Sequence, residues 1–182
     1  ALPISLAQST GGFPAWIEGA WQVRLGAYTS KEEAQAMAET IGGTVVGTSS
    51  YGVSVVRTGT STVLFQFDGG ENVALAVKPG LDDTERTETN YRKRRYYGIF
   101  QFCRVRGGDL VVSNLLPLGE YINCVISREM SPSWPIEALK AQAVSARSYY
   151  EDNLGKHASY GFDICSTTDC QAYYGMANVN ER

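Results

Sequence analysis

Between Pro117 and Tyr150 the apolar positions fall into two stripes of helical period. Leu118, Tyr121, Ile122, Val125 and Ile126 recur at i, i+3, i+4, i+7 and i+8. They mark one face of a helix that Pro117 can open, because the N–H it lacks has no partner in a first turn. After a corner rich in Ser and Pro, Ile136, Leu139, Ala143, Ala146 and Tyr150 form a second stripe, with Ala, Leu, Lys and Gln at most positions between. Lys140 and Arg147, seven residues apart, come to the edge of that stripe at about 3.6 residues per turn. Two cations are therefore expected to border the packed side.

Upstream, the period shortens to two. Residues 1–19 read as a lead-in with at most one strand, and then Trp21, Val23 and Leu25 alternate with Gln22 and Arg24 as in a half-buried strand. Ser30 and Glu33 form a capping-box pair, and Ala34, Met37, Ala38 and Ile41 stripe a short helix that Gly42 should close. Residues 44–47 and 51–56 read as strands. Residues 62–67 and 72–77 flank Asp68-Gly69-Gly70-Glu71, a hairpin signal. Residues 81–90 are polar and read as an exposed loop or linker. A second hairpin is expected from 96–106 and 109–113 across Gly107-Gly108, with Tyr96, Tyr97, Phe100 and Phe102 facing the helix pair. The sum is an α+β fold, with antiparallel β hairpins packed on a two-helix core and preceded by a small βαβ unit.

The length of 182 residues and 43% apolar content suit one medium domain or two small ones. A net charge of −3 without a sustained basic face argues against nucleic acid as a partner. The one basic run, residues 92–95, reads as a solvated strand entry. No window approaches the roughly 18 apolar residues that span a bilayer, and no basic segment precedes an apolar core at the start. Export would therefore rest on a signal, and membrane attachment on an anchor, removed from this sequence.

The candidate chemistry begins at Glu129, where the first helix of the pair should end. The partial negative charge of a helix C-terminus and shielding by Met130 and Trp134 would favour a protonated carboxyl, while Arg128 opposes this. A general acid fits that position. So does a capping or surface group. Four cysteines, Cys103, Cys124, Cys165 and Cys170, allow two disulfides. Cys103 on a strand and Cys124 on a helix also fit buried thiols. Cys165 and Cys170 follow the only histidine, His157, and these three suit Zn(II) with an open position that Asp163 or Asp169 could fill. Metal, a Cys165–Cys170 disulfide and free thiols all remain open.

From about residue 91 to 175 the chain resembles the catalytic domain of the stage II sporulation protein D family, which includes amidase-enhancer proteins of bacterial cell walls. The resemblance rests on LVVSNLLPLGEYINCVISREM, SPSWPIEALKAQAVSARSYY and FDICSTTDCQAYYG, in that order and spacing. It implies an exported lytic transglycosylase of the cell envelope that acts on peptidoglycan glycan strands, with Glu129 as its catalytic glutamate. It also implies substrate-binding roles for Lys140, Arg147 and Tyr149, which match the family's Ala-Leu-Lys-Ala and Ala-Arg-Ser/Thr-Tyr signatures. No cofactor is required, and a zinc at His157, Cys165 and Cys170 would be structural. The alternative implied is a non-catalytic protein that binds peptidoglycan and recruits or enhances a cell-wall amidase. A third reading, a metallohydrolase built on His157, Cys165 and Cys170, leaves Glu129 without a role.

Residues 20–57, around WQVRLGAYTSKEEAQAMA, resemble the first half of the sporulation-related repeat known as SPOR, a small domain that binds peptidoglycan glycan strands. The organisation expected is a SPOR-like glycan-binding segment at 1–58 and a catalytic domain at 59–182, cut short at its C-terminus relative to the family.

Overall fold

A computed structural model describes residues 7, 9, 11–26, 28–47, 49–80, 88–105 and 108–176. The chain packs as two compact units, one of residues 1–75 with 103–110 and the other of 76–102 with 111–182.

In the first unit, strands β1 (Phe13–Ile17), β2 (Ala20–Arg24), β3 (Val53–Val56) and β4 (Val63–Asp68) form a sheet in the order β2-β1-β4-β3. β1 pairs antiparallel with β2 and parallel with β4, and β4 pairs antiparallel with β3. Helix α1 (Lys31–Ile41) starts where the Ser30 side chain accepts from the Glu33 N–H and ends at Gly42 in the left-handed region, as its sequence dictates. Two expectations fail here. β4 does not form a hairpin with residues 72–77, because β1 and β3 already use both of its edges. Residues 44–47 are exposed and irregular rather than a strand. β2 and β3 lie at opposite edges, so β2, α1 and β3 do not make a unit of neighbouring strands.

The second unit contains a hairpin of β6 (Glu88–Tyr91) and β7 (Arg94–Tyr97), and most of a three-stranded sheet ordered β5 (Leu75–Val77), β8 (Ile99–Arg104), β9 (Leu110–Leu115). Two helices follow, α2 (Leu118–Glu129) and α3 (Ile136–Asp152), then a short 3-10 turn, Ala158–Tyr160. Of the expected polar loop at 81–90, residues 88–90 are strand and 81–87 lie outside the described residues. The hairpin explains the polarity: Glu88 and Asn90 face water while Thr89 and Tyr91 are half-buried, and Glu88 pairs with Arg95 at 3.1 Å. The second expected hairpin also begins later than its aromatic run. Tyr96 and Tyr97 belong to β7, and Gly98, at φ 82°, separates them from β8.

The predicted helical faces meet. Tyr121, Ile122, Cys124 and Val125 of α2 are buried with Ala146 of α3, and Tyr97, Tyr173 and Met176 close the cluster. Leu118, Ile126, Ala143 and Tyr150 pack against it. Ile136 is the exception, 62% exposed at the first turn of α3. Gln171 ties the pair together, accepting from the Tyr121 hydroxyl at 2.9 Å and donating to the Ala146 carbonyl at 3.1 Å. No helix among the described residues is long and apolar enough to cross a membrane.

Tyr173 donates to the Asn114 Oδ1 at 2.7 Å, while the Asn114 amide donates to the Tyr97 carbonyl at 2.8 Å. Burial pushes the proton affinity of the Tyr173 phenol up, so the folded chain holds that proton more tightly than the unfolded chain. The resulting stability stands in full below about pH 10 and is lost as pH climbs beyond it. Tyr173→Phe should flatten this alkaline loss in urea unfolding, and should cost about 1–2 kcal/mol at neutral pH by orphaning Asn114.

Candidate functional site

α2 carries its functional candidate at its end. Glu129 is the last residue of the helix, the chain turns extended at Met130, and the Met130 N–H closes onto the Ile126 carbonyl at 2.9 Å. The buried face of α2 thus fixes the backbone of Glu129 while the residue itself is exposed. No hydrogen-bond or ion-pair partner meets its carboxylate among the described residues. Trp134, expected to shield this carboxyl, is itself 54% exposed.

The cations of α3 sit farther out than their position beside the stripe predicts. Lys140 is exposed and pairs with Glu137 at 2.8 Å. Arg147 is exposed and pairs with Glu151 at 2.9 Å. Each pair lies along its own helix, at i,i+3 and i,i+4, where exposed pairs contribute only about 0.3–0.5 kcal/mol. The helix offers these long side chains a partner on its outer surface. Tyr149 is half-buried and its hydroxyl donates weakly, at 3.4 Å, to the Asp169 carbonyl.

A second cluster is made by the segment after α3. The His157 Nε2 lies 3.3 Å from the Cys170 Sγ and 3.6 Å from the Asp169 Oδ2, and the Cys165 Sγ lies 3.9 Å from that same carboxylate oxygen. All four donor atoms fall within 4.8 Å of one another. A tetrahedral zinc with bonds of roughly 2.0–2.3 Å sets its ligands about 3.3–3.8 Å apart, so both the spacing and the N, S, S, O donor set fit that ion. Backbone bonds shape the loop: the His157 N–H reaches the Asp163 carbonyl at 3.1 Å, and the Cys170 N–H the Thr167 carbonyl at 3.1 Å. Burial acts to raise the proton affinity of the Cys165 thiol, but hydrogen bonds with Thr167 and Cys170 outweigh it and leave the thiol below its ordinary range. No disulfide links Cys103, Cys124, Cys165 or Cys170 in this structure.

Sequence reasoning brought forward His157, Cys165 and Cys170, and of the two aspartates considered the fold selects Asp169. It missed Lys156, whose ammonium lies 2.7 Å from the Asp169 carbonyl and 3.4 Å from its carboxylate. It also missed Gln171. Neither residue carries a periodicity that would single it out.

A cavity of about 360 Å³ lies in the same unit, with Tyr91, Tyr96, Phe100, Tyr121, Tyr150 and Tyr173 in its wall. Cys165 borders it, whereas Glu129, Lys140 and Arg147 do not. The aromatic run of the strands therefore serves both the packed core and an open hollow.

A helix pair packed along one face, with an exposed carboxylate at its turn and a compact thiol-histidine loop after it, defines the segment that comparison with known proteins also picks out. Residues 106–182 match the family model described as Stage II sporulation protein. The match supports the stage II sporulation protein D family for this segment. An uncharacterized protein of Brachyspira hyodysenteriae is 42% identical over 86 residues, which cover 47% of this chain and 23% of that relative. No solved structure gives a significant match.

Proposed function

We propose that this chain is an exported lytic transglycosylase of the cell envelope that cleaves the β-1,4 bond between N-acetylmuramic acid and N-acetylglucosamine in peptidoglycan. The observation that carries the reading is Glu129: an exposed carboxylate without a partner among the described residues, fixed at the end of a packed helix within the segment that matches the family. Glycoside hydrolysis usually employs two carboxylates, one of them to activate water or to attack the sugar. Here the substrate supplies the nucleophile. Glu129 gives its proton to the glycosidic oxygen as the C–O bond breaks. The muramoyl C6 hydroxyl closes on the anomeric carbon and returns its proton to the carboxylate, leaving a 1,6-anhydro end. The surface pairs of Lys140 and Arg147 cost little to break, so both cations are free to swing onto lactyl or acetamido oxygens, and Tyr149 to sugar hydroxyls. For the N-terminal segment, a glycan-binding role rests on the sequence resemblance of residues 20–57 alone.

The test is mass analysis of the products released from glycan strands. Ends lighter by one water than hydrolytic ends are expected. Binding with no cleavage would instead assign the chain to recognition, in the manner of an amidase enhancer.

His157, Cys165, Asp169 and Cys170 would hold a zinc ion. With four protein donors the site is closed, and the ion would supply a structural cross-link from the end of α3 to the Cys170 segment. One equivalent of zinc per chain is expected by elemental analysis, with a higher unfolding midpoint when zinc is added. His157→Ala should lower zinc affinity more than tenfold. Equal affinity in the variant would remove His157 from the site.

A further inference from the structure

Three separate parts of the second unit meet at Tyr174. The Arg94 guanidinium lies 4.2 Å from the centre of its ring and the Arg128 guanidinium 4.6 Å. Both guanidiniums therefore lie in cation–π contact with the same ring. Arg94 begins β7, immediately after a two-residue turn in which Arg92 and Lys93 both take positive φ, 47° and 64°. Arg128 comes from the last turn of α2, where the helix dipole favours a cation. Tyr174 is placed by the tail, which the Met176 N–H pins to the Arg95 carbonyl at 2.8 Å.

Among the described residues no carboxylate neutralises the charges of this stack. Both arginines are exposed, and among the described residues neither has a carboxylate partner, although the adjacent Arg95 does, in Glu88. A cation–π contact does not use up the N–H edges of a guanidinium, and those edges bind a carboxylate through two parallel hydrogen bonds. The ring also holds both side chains in place, so binding an anion need not immobilise them. Arg128 is next to Glu129 on the same turn of the helix, which puts one of these cations at the proposed reaction centre.

We propose that Arg94, Tyr174 and Arg128 form a carboxylate clamp that reads the acidic groups carried by a glycan strand. The assignment rests on the glycan-cleaving reading above. Arg94 and Arg128 each grip a carboxylate through their free edges, and Tyr174 sets the spacing between them. Such carboxylates come from two sources, the lactyl group of the muramoyl sugar and the stem peptide attached to it. Neutral strands lack this handle and bind through sugar contacts alone.

The experiment measures binding of the full chain to labelled peptide-free strands, to the same strands with their carboxyls converted to methylamides, and to strands that retain stem peptides. Carboxylate-bearing strands should bind about tenfold more tightly than methylamide strands, the scale of one or two charge-assisted hydrogen bonds. Arg94→Gln and Arg128→Gln should each abolish that preference, with a fall in unfolding midpoint no larger than the loss of one exposed cation–π contact causes. Arg94→Lys and Arg128→Lys should restore it only in part, because an ammonium keeps the charge without the fork. Tighter binding of peptide-free strands would assign the lactyl carboxylate, and tighter binding of peptide-bearing strands the stem. Equal binding of acidic and methylamide strands, or a preference that survives both glutamine variants, would overturn the clamp. Cleavage is scored separately on methylamide strands. Glu129-dependent anhydro products with no carboxylate preference would refute the clamp alone, and a preference with no such products would refute the transglycosylase alone.

Discussion

Glu129→Gln should abolish release of anhydro-ended fragments from glycan strands, with a fall in rate of about 1,000-fold or more. The size follows from the two roles assigned to one side chain. General acid or base catalysis by a placed group contributes roughly 10²–10⁴-fold, and this carboxyl would act first as acid and then as base. Glutamine keeps the shape and the hydrogen-bonding reach but can neither give nor take the proton. The fold should not notice the change, because Glu129 is exposed and no described residue pairs with it. Unaltered strand binding and an unaltered unfolding midpoint would therefore accompany the loss. A variant that still releases anhydro ends at the wild-type rate would remove Glu129 from the chemistry.

Gly175→Ala should lower the stability of the second unit by about 3–4 kcal/mol, a large part of what an ordinary domain possesses. Two costs add. Gly175 has φ 63°, a conformation that costs a residue with a Cβ roughly 1–2 kcal/mol. A Cβ there would also run into the Arg95 carbonyl and the edge of the Tyr96 ring. The ring can move, but the carbonyl is backbone and already accepts from the Met176 N–H. Overpacking of this kind costs about 1–3 kcal/mol more. The expected drop in unfolding midpoint is on the order of 10 °C. Gly155→Ala is the matched control. It has a similar φ of 76°, but its nearest neighbour is the Ala158 Cβ at 4.0 Å, so only the conformational cost of about 1 kcal/mol applies. Equal losses in the two variants would show that contact with Arg95 is not what makes Gly175 necessary.

The sequence was legible where local rules agree with tertiary packing. Periodicity located α2 and α3, and the faces it marked are the faces that bury Tyr121, Val125 and Ala146. Capping chemistry located both ends of α1. Strand partners were much less legible. Asp68-Gly69-Gly70-Glu71 carries a strong hairpin signal, yet β4 pairs with β1 and β3, because a turn motif reports only local geometry and says nothing of competing partners. Residues 88–90 looked like a loop since a two-stranded ribbon exposed on one face needs little apolar content.

The candidate site divides in the same way. By itself, the chain's order of residues determined that Glu129 ends a helix, that His157 precedes a cysteine pair, and which face of the helix pair is packed. Only the tertiary structure decided that Asp169 rather than Asp163 joins His157, Cys165 and Cys170, that Lys140 and Arg147 turn outward to glutamates on their own helix, and that Arg94 and Arg128 meet at the Tyr174 ring. The physical reason is range. Helix ends and apolar stripes are set by contacts three or four residues apart, which a linear pattern records. A donor cluster within a loop, or a stack drawing on β7, α2 and the tail, depends on chain paths that only packing of the core fixes.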